Sequence, residues 1–276
     1  MNVVRIEDPA DPRIADFRNV PDPELIARRG LFVAEGRLVV QRLLASDRWT
    51  ARSVLVTDTA LAAVASALDA HPTLPVFVVE QRAMSAITGF DIHRGCLALA
   101  ERRPLPDWRH LASDATRLVA LERLGNADNV GSVFRNAAAF GVDGVLLGPA
   151  CADPLYRKAI RTSMGAALAV PFARAEPWPD ALVELRAAGW TVVALTPSAA
   201  STVREMARPP RDRIALVIGH EGDGLTAEAL SACEHRVRIP MAAGVDSLNA
   251  ATAAAIAVYE FSAGRQAQPC GNDNVP

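Results

Sequence analysis

The sequence lacks the features of a secreted, membrane-spanning or metal-binding protein. Its N-terminus has early acidic residues and no apolar h-region, unlike a signal peptide. The richest apolar stretch, residues 250–259, is about half as long as a membrane span. Four cysteines occur without a CxxC pair or the spacing of metal ligands: Cys96, Cys151, Cys233 and Cys270. These absences predict a soluble cytoplasmic protein with reduced thiols, no bound metal and no membrane partner.

Lysine and aromatic residues are also scarce. Lys158 is the only lysine among 29 basic residues, aromatic residues make up 5% of the chain, and the net charge is -2. This overall charge does not indicate a nucleic-acid partner, so any RNA must bind a local basic patch. Arginine suits bidentate phosphate contacts better than lysine does. A genome-wide codon bias toward arginine is the alternative explanation for this composition.

The first hundred residues alternate between strand-like and helix-like runs. This order predicts a small α/β layer. Strands are predicted at 31–34, 53–57, 75–79 and 95–100, with helices at 37–45, 61–68 and 81–87. Residues 101–116 then carry prolines, mixed charge and no sustained period, which indicates a domain boundary.

The rest of the chain predicts a second α/β unit. Strands are predicted at 118–121, 144–147, 191–195, 214–218 and 236–239, with helices at 130–140 and 248–261. Most of these strands are continuous apolar runs, as in a parallel sheet that is buried on both faces. We therefore predict a first domain at 1–105, a linker at 106–116, a second domain at 117–263 and a disordered tail at 264–276.

Three clusters in the second unit follow predicted strands: 129–135 (NVGSVFR), 219–225 (GHEGDGL) and 239–249 (IPMAAGVDSLN). Loops at the carboxyl ends of an open α/β sheet bring such segments into one crevice. Taken singly, each cluster also fits an ordinary structural role. Asn129 could cap the helix that follows it, and Asp246 or Ser247 could cap the last helix.

The middle cluster is rich in glycine. Gly219, Gly222 and Gly224 surround Glu221, so the backbone there could approach a ligand closely. No GK[ST] follows, which excludes a Walker loop, and the spacing departs from the GxGxxG dinucleotide motif. Any tight strand-to-helix turn would also use such glycines.

Together the patterns NxGxxxR, GxEGxGL and IPMxxxxxSLN resemble the three motifs of the SpoU class of RNA ribose 2′-O-methyltransferases, a branch of the SPOUT superfamily. Residues 157–167 (RKAIRTSMGAA) resemble the segment between the first two motifs. Residues 31–37 (LFVAEGR) and 93–95 resemble an L30e-type RNA-binding domain. The resemblance implies a SPOUT α/β fold with a mostly parallel sheet, helices on both faces and a trefoil knot. It also implies S-adenosylmethionine as cofactor, and a homodimer with its active site near the subunit interface.

The resemblance carries roles onto individual residues. Arg135 matches the family's catalytic arginine, and four further residues would orient Arg135 and the ribose: Asn129, Glu221, Ser247 and Asn249. The cofactor would contact residues of the motif loops: Leu195, Thr196, Pro197, Gly219, Glu221, Gly224, Ile239, Met241 and Leu248. Because the pKa of arginine is above about 12, we expect Arg135 to stabilise the developing alkoxide or grip a phosphate rather than act as a base.

The chain departs from the usual first motif, DPxNxGxxxRTA. Asn126 and Ala127 stand where Asp and Pro are common, and Asn136 replaces the usual Thr. His220 occupies a variable position, which favours a solvent-facing loop residue over a catalytic base.

Two basic clusters are candidates for RNA binding: Arg28, Arg29 and Arg37, and Arg157, Lys158 and Arg161. A solvated charged face would explain either cluster equally well. Since the N-terminal unit has few aromatics for base stacking, it favours folded RNA shape over a splayed single strand. The resemblance favours ribosomal RNA as substrate, with transfer RNA as the alternative. A noncatalytic RNA-binding dimer that keeps the fold is the alternative from another functional class.

Overall fold

A computed structural model of the chain describes residues 2–18, 21–88, 95–208 and 212–262. Within these residues the chain forms a five-stranded and a seven-stranded β-sheet, each with helices packed against it. The predicted tail at 264–276 lies outside the described residues, as do two residues of the 93–95 motif, His93 and Arg94.

The N-terminal sheet is mixed. Its strands are β1 (Asn2–Arg5), β2 (Leu31–Glu35), β3 (Ala51–Val56), β4 (Pro75–Val78) and β5 (Cys96–Glu101). They lie in the order β1-β4-β3-β5-β2, where β5 runs antiparallel to β2 and β3 and the other pairs are parallel. The helices of this half are α1 (Asp22–Arg29), α2 (Arg37–Leu44), α3 (Asp58–Asp69) and α4 (Gln81–Thr88).

Helix α3 shows why these elements form where they do. The Thr57 hydroxyl accepts a hydrogen bond from Ala60 N at its start, which is the usual N-cap arrangement. Ala60, Val64 and Leu68 recur every fourth residue and are fully buried against the sheet.

The C-terminal sheet is parallel throughout. Its strands are β6 (Arg117–Leu121), β7 (Gly144–Leu147), β8 (Phe172–Arg174), β9 (Thr191–Leu195), β10 (Ser201–Thr202), β11 (Ile214–Ile218) and β12 (His235–Arg238). They lie in the order β10-β12-β9-β11-β6-β7-β8. Their carboxyl ends therefore meet at one edge, where the loops after β6, β9, β11 and β12 come together.

Helices cover both faces of this sheet. They are α5 (Trp108–Asp114), α6 (Ala127–Ala139), α7 (Arg157–Thr162), α8 (Ala166–Ala169), α9 (Asp180–Ala187), α10 (Val203–Met206), α11 (Ala227–Ala232) and α12 (Ala250–Ser262). On one face Val119 and Leu121 pack in a cluster with α6 and α12. On the other, Leu118 and Ala120 pack with α5, α9 and α11. All five residues of β11 are buried, as its continuous apolar run predicts.

The predicted fold class, α/β with a mostly parallel C-terminal sheet, is confirmed. Every strand and helix predicted from the apolar pattern is present, with its ends shifted by a few residues. The apolar pattern did not predict β1, β8 and β10, the short helices α5, α7, α8, α10 and α11, or the longer α1 and α9.

The predicted linker at 106–116 contains helix α5, which the sequence analysis did not predict. The Asp107 carboxylate caps it by accepting a hydrogen bond from Arg109 N at 2.8 Å. Trp108 and Ala112 are buried in the cluster beneath the C-terminal sheet. Two buried positions are too few to show the apolar periodicity of a helix in the sequence. Both nevertheless pack this segment against the C-terminal sheet.

The two halves of the chain pack against one another through main-chain acceptors. Arg42, Arg48 and Trp49 donate hydrogen bonds to backbone carbonyl oxygens within residues 164–170, at distances of 2.5 to 3.4 Å. Trp49 is only 6% exposed, and its hydrogen bond to Leu168 O is buried.

A buried ion pair also joins the segment after β5 to the loop after β7. Arg102 Nη1 lies 2.6 Å from Asp153 Oδ2, and the two side chains are 16% and 7% exposed. Asp153 also accepts a hydrogen bond from Leu155 N at 2.9 Å. The carboxylate thus holds both its own loop and the arginine of the other half.

The described residues include three free cysteines. Burial raises the pKa of Cys96 and of Cys233 to about 12. No helix in the described residues has the length and apolar content needed to cross a bilayer. In the same part of the chain, no group of three or more His, Cys, Asp and Glu side chains is arranged to hold a metal ion.

Candidate active site

A cavity of about 440 Å³ opens at the carboxyl edge of the parallel sheet. Its walls come from the ends of β9 and β11, the loop after β12 and the start of α12. All the residues predicted to contact a cofactor line it: Leu195, Thr196, Pro197, Gly219, Glu221, Gly224, Ile239, Met241 and Leu248. Glu221, Asp223 and Asp246 add three carboxylates to the lining, so the cavity suits a ligand that carries positive charge.

The glycine-rich loop folds back on itself beside the cavity. His220 N donates to Gly224 O at 3.1 Å, and Gly224 N donates to His220 O at 3.0 Å. A Cβ on Gly219 would lie 2.4 Å from the carbonyl carbon of Gly224, and Gly224 has a φ of +71°. The close approach of Gly219 and the left-handed conformation of Gly224 both require glycine.

His220 closes this loop rather than pointing at a substrate. Its Nδ1 accepts hydrogen bonds from Gly222 N at 3.0 Å and from Asp223 N at 3.2 Å. A ring nitrogen that accepts two backbone N–H groups has no free lone pair to act as a general base.

Three polar side chains from the three sequence clusters meet beside the cavity. Asn129 donates to Glu221 Oε1 through a short hydrogen bond. Asn249 Nδ2 lies 2.9 Å from the same carboxylate oxygen and 3.0 Å from Asn129 Oδ1. The Asn129 side chain is buried, whereas Glu221 and Asn249 are exposed at the rim. Residues separated by up to 120 positions thus form one hydrogen-bonded cluster, which we call the Asn–Glu–Asn cluster.

Both helix caps expected from the sequence fall on other residues. Asn126, not Asn129, caps α6, since its Oδ1 accepts from Asp128 N at 2.9 Å. Asn249 Oδ1 accepts from two backbone N–H groups of the first turn of α12, where Asp246 or Ser247 was expected to cap. Asn129 lies within the first turn of α6, and its side-chain oxygen, the atom that a cap would use, accepts from Asn249.

Known proteins resemble this chain in sequence. The profile of the SpoU rRNA Methylase family matches residues 116–259. A protein of Mycobacterium bovis, described as an uncharacterized tRNA/rRNA methyltransferase, is 45% identical in an alignment that covers 94% of this chain and 92% of that protein. The chain belongs to the SpoU methylase family.

Two more distant SpoU-type relatives cover nearly the whole chain. A 23S rRNA (guanosine(2553)-2′-O)-methyltransferase of Bacillus subtilis is 24% identical over 93% of this chain and 98% of its own length. The crystal structure of an AdoMet-bound rRNA methyltransferase from Sinorhizobium meliloti matches with a TM-score of 0.82 and 27% identity, covering 97% of this chain and 100% of that one. The resemblance therefore extends beyond the SpoU domain to the N-terminal half.

Arg135, the arginine of the first SpoU motif, lies outside the Asn–Glu–Asn cluster in the single chain. It follows Asn129 by six residues on α6, which is about 9 Å along the helix axis. Its side chain is exposed and has no hydrogen bond or ion pair to any described residue. The remaining predicted catalytic residue, Ser247, lines the cavity in the loop before α12.

The departures from the usual first SpoU motif have structural roles. Asn126 supplies the cap of α6, as described above. Asn136 Nδ2 donates to Ala251 O at 3.0 Å and so ties α6 to α12. Asn136 thus links the helix of the first motif to the helix that follows the third motif.

Most cations of the predicted RNA-binding clusters are engaged by carboxylates. The pairs are Arg28–Glu24 at 3.8 Å, Arg29–Asp16, Arg157–Asp22 at 3.0 Å, Lys158–Asp128 at 2.8 Å and Arg161–Glu35 at 3.5 Å. The hydrogen bond from Lys158 holds the pKa of Asp128 below its usual value. Arg37 is half-buried, and its Nε has no hydrogen-bond partner among the described residues.

Proposed function

We propose that this protein is an RNA 2′-O-methyltransferase, which moves a methyl group from S-adenosylmethionine to a ribose 2′-hydroxyl. The observation that carries the proposal is the position of the Asn–Glu–Asn cluster. Glu221 belongs both to the cluster and to the cavity wall, so the polar groups that could orient a ribose lie directly beside the cofactor cavity.

The cofactor is S-adenosylmethionine, and the cavity has suitable dimensions and chemistry for it. Its volume of about 440 Å³ falls within the usual range for small-molecule sites. Leu195, Ile239 and Leu248 offer apolar contact, while the carboxylates of the lining favour a cationic ligand. When bound, S-adenosylmethionine supplies an electrophilic methyl group.

The residues of the chain would supply positioning and electrostatic stabilisation. The two asparagine amides both donate to Oε1 of Glu221 and so fix its carboxylate, while Oε2 has no partner among the described residues and can accept a hydrogen bond from a ribose hydroxyl. Arg135 remains charged at neutral pH, and we assign to it the stabilisation of the developing alkoxide or the grip on the adjacent phosphate. Its exposed side chain is free for such a contact.

We further propose that the protein acts as a cytoplasmic homodimer, with the site completed near the subunit interface. Two exposed apolar residues, Ile256 and Tyr259, lie on α12, which packs beside the helix that carries Arg135. A second copy seated on this face would bury both side chains and bring Arg135 into an interface.

Ribosomal RNA is the substrate we propose, recognised with help from an L30e-like N-terminal half. The Bacillus subtilis relative, a 23S rRNA methyltransferase, supports ribosomal RNA, while the Mycobacterium bovis relative is described as a methyltransferase of tRNA or rRNA. The boundaries of the domains, at 105 and 117, remain predictions from the sequence.

The test incubates the purified protein and methyl-labelled S-adenosylmethionine with total RNA from a strain that lacks the gene. Digestion to nucleosides then shows where the label lies. We expect labelled 2′-O-methyl nucleosides in large ribosomal RNA. Label in transfer RNA would mean that the substrate is transfer RNA rather than ribosomal RNA. Label on a base would contradict ribose specificity. Cofactor binding without transfer to any RNA would favour the noncatalytic RNA-binding alternative.

A further inference from the structure

A buried carboxylate stands directly after β6, next to the cofactor cavity but not in its lining. Glu122 is 1% exposed and accepts three hydrogen bonds. Trp178 Nε1 donates to its Oε1 at 2.7 Å, Thr226 Oγ1 donates to the same oxygen at 2.8 Å, and Thr226 N donates to Oε2 at 2.8 Å. Neither the sequence clusters nor the proposed reaction uses this residue.

All three bonds require an acceptor at position 122. An indole N–H and a backbone N–H can only donate. The hydroxyl of Thr226 accepts from Ala229 N at 3.2 Å as the N-cap of α11, which leaves its hydrogen for Glu122. An ionised carboxylate satisfies the three donors together, whereas a glutamine amide would set an N–H against one of them.

Thr226 is the residue at which the glycine-rich loop ends. The loop runs from Gly219 to Leu225 along the cavity, and Thr226 follows immediately. Because both polar groups of Thr226 bond to Glu122, the carboxylate fixes where the loop leaves the cavity and where α11 begins.

The third donor fixes Glu122 in turn. The Trp178 ring lies over Gly148, where a Cβ would come within 3.1 Å of the ring. The indole therefore packs on the backbone at the end of β7 while its N–H reaches Glu122. The carboxylate is therefore held by Trp178 as well as by Thr226.

A second contact ties the neighbouring residue to the same loop. Arg123 has a φ of +58°, which is uncommon for a residue with a side chain. In this conformation its guanidinium reaches Asp223 at 3.1 Å, in the middle of the glycine-rich loop. Strained backbone conformations of this kind concentrate at functional sites. Consecutive residues after β6 thus hold the middle and the end of the loop.

We propose that Glu122 is a positioning residue for the cofactor: it holds the glycine-rich loop in its binding conformation through Thr226. The proposal rests on the assignment of the cavity to S-adenosylmethionine. The carboxylate touches neither the cofactor nor the RNA, and acts through the loop.

The test measures the Kd for S-adenosylmethionine by calorimetry, together with the thermal midpoint, for the full-length wild type and three variants. Glu122→Gln keeps the size of the side chain but loses at least one bond to a charged acceptor, and we expect its Kd to rise about tenfold. Trp178→Phe removes the indole donor and part of the ring that packs on Gly148 but leaves both bonds from Thr226, so its Kd should rise less. Both variants should keep a cooperative unfolding transition.

Asp143→Asn is the matched control at the opposite end of the same sheet. Asp143 Oδ2 also accepts three hydrogen bonds, from Thr116 N at 2.7 Å, Thr116 Oγ1 at 3.0 Å and Arg117 N at 2.8 Å. It directly precedes β7 and bonds to the start of β6, at the edge of the sheet away from the cavity, so we expect the Kd of the variant to match that of the wild type, whatever happens to its thermal midpoint.

Three outcomes would overturn the proposal. They are wild-type affinity in Glu122→Gln, an equal loss of affinity in Asp143→Asn, and, if Glu122→Gln does not fold, wild-type affinity in Trp178→Phe. Failure of the proposed function is distinguishable: without a cofactor site the wild type itself would not bind S-adenosylmethionine, and a failure of methyl transfer alone would leave the expected order of affinities unchanged.

Discussion

At the scale of single residues, the Asn–Glu–Asn cluster joins one carboxylate to two amides that are far apart in the sequence. Glu221 Oε1 receives hydrogen bonds from both Asn129 and Asn249, so the position of each amide depends on the other two residues. The sequence motifs predicted all three residues as a set. They could not predict that Asn126 rather than Asn129 caps α6, since the side-chain oxygen of Asn129 accepts from a partner 120 positions away.

Arg135 is the residue whose substitution most directly tests the proposed chemistry. We expect Arg135→Ala to lower kcat by about two to three orders of magnitude, because an electrostatic stabiliser of the transition state is lost. The affinity for S-adenosylmethionine should stay unchanged, since Arg135 does not line the cavity. Single-turnover methyl transfer and calorimetry measure the two quantities.

Arg135→Lys is the control that separates charge from geometry. Lysine keeps the positive charge but loses the planar fork that can hold a phosphate or alkoxide through two N–H groups. A kcat close to wild type in Arg135→Lys would mean that the positive charge alone suffices. Normal turnover in Arg135→Ala would refute the assignment of Arg135 as the residue that stabilises the transition state.

The buried thiols give a second prediction at this scale. Because burial raises the pKa of Cys96 and Cys233 to about 12, their thiolate forms are scarce at neutral pH. We expect a thiol reagent at pH 7 to leave both unmodified in the native protein and to modify both in denaturant. Mass spectrometry of digested samples would identify each site, and rapid native labelling of either would contradict the burial.

At the scale of elements, sequence patterns predicted long strands and missed short ones. β11 and β9 have five residues each and read as continuous apolar runs. β8 has three residues and β10 has two, so neither offers enough positions for an apolar pattern. The ion-pair partners of the predicted basic patches could not be predicted for a different reason, because they lie far away in the sequence. The spacing of Arg157 cannot show that Asp22, 135 positions earlier, is its partner.

The glycine-rich loop yields a prediction with a built-in control. A Cβ on Gly219 would lie 2.4 Å from the backbone of Gly224, so the loop must move in Gly219→Ala. We expect this variant to bind S-adenosylmethionine at least about tenfold more weakly. In Gly222→Ala the nearest atom is 3.4 Å away, on the His220 ring, and we expect wild-type affinity. Equal affinities for the two variants, measured by calorimetry, would contradict the tight packing of the loop.

At the scale of the whole molecule, the two halves share one continuous cluster of buried side chains. The ion pair between Arg102 and Asp153 lies at their junction, with little exposure of either side chain. Removing one partner of such a pair leaves an uncompensated buried charge, which is far more costly than losing an exposed pair.

We therefore expect Asp153→Ala to lower the free energy of unfolding by about 3 kcal/mol. Arg5→Ala is the control, since Arg5 pairs with Asp58 at 2.7 Å but both side chains are mostly exposed. Urea denaturation of both variants measures the difference. A loss in Asp153→Ala no larger than in Arg5→Ala would show that the junction does not depend on this pair.

The remaining contacts of the junction have a consequence for how related chains can diverge. Arg42, Arg48 and Trp49 bond to backbone carbonyl oxygens within residues 164–170, and a carbonyl oxygen is present whatever side chain the residue carries. Side chains in that segment can therefore change without a matching change in the three donors. Correlated substitutions across a set of relatives would leave little trace of this part of the interface, even where the two halves dock in the same way.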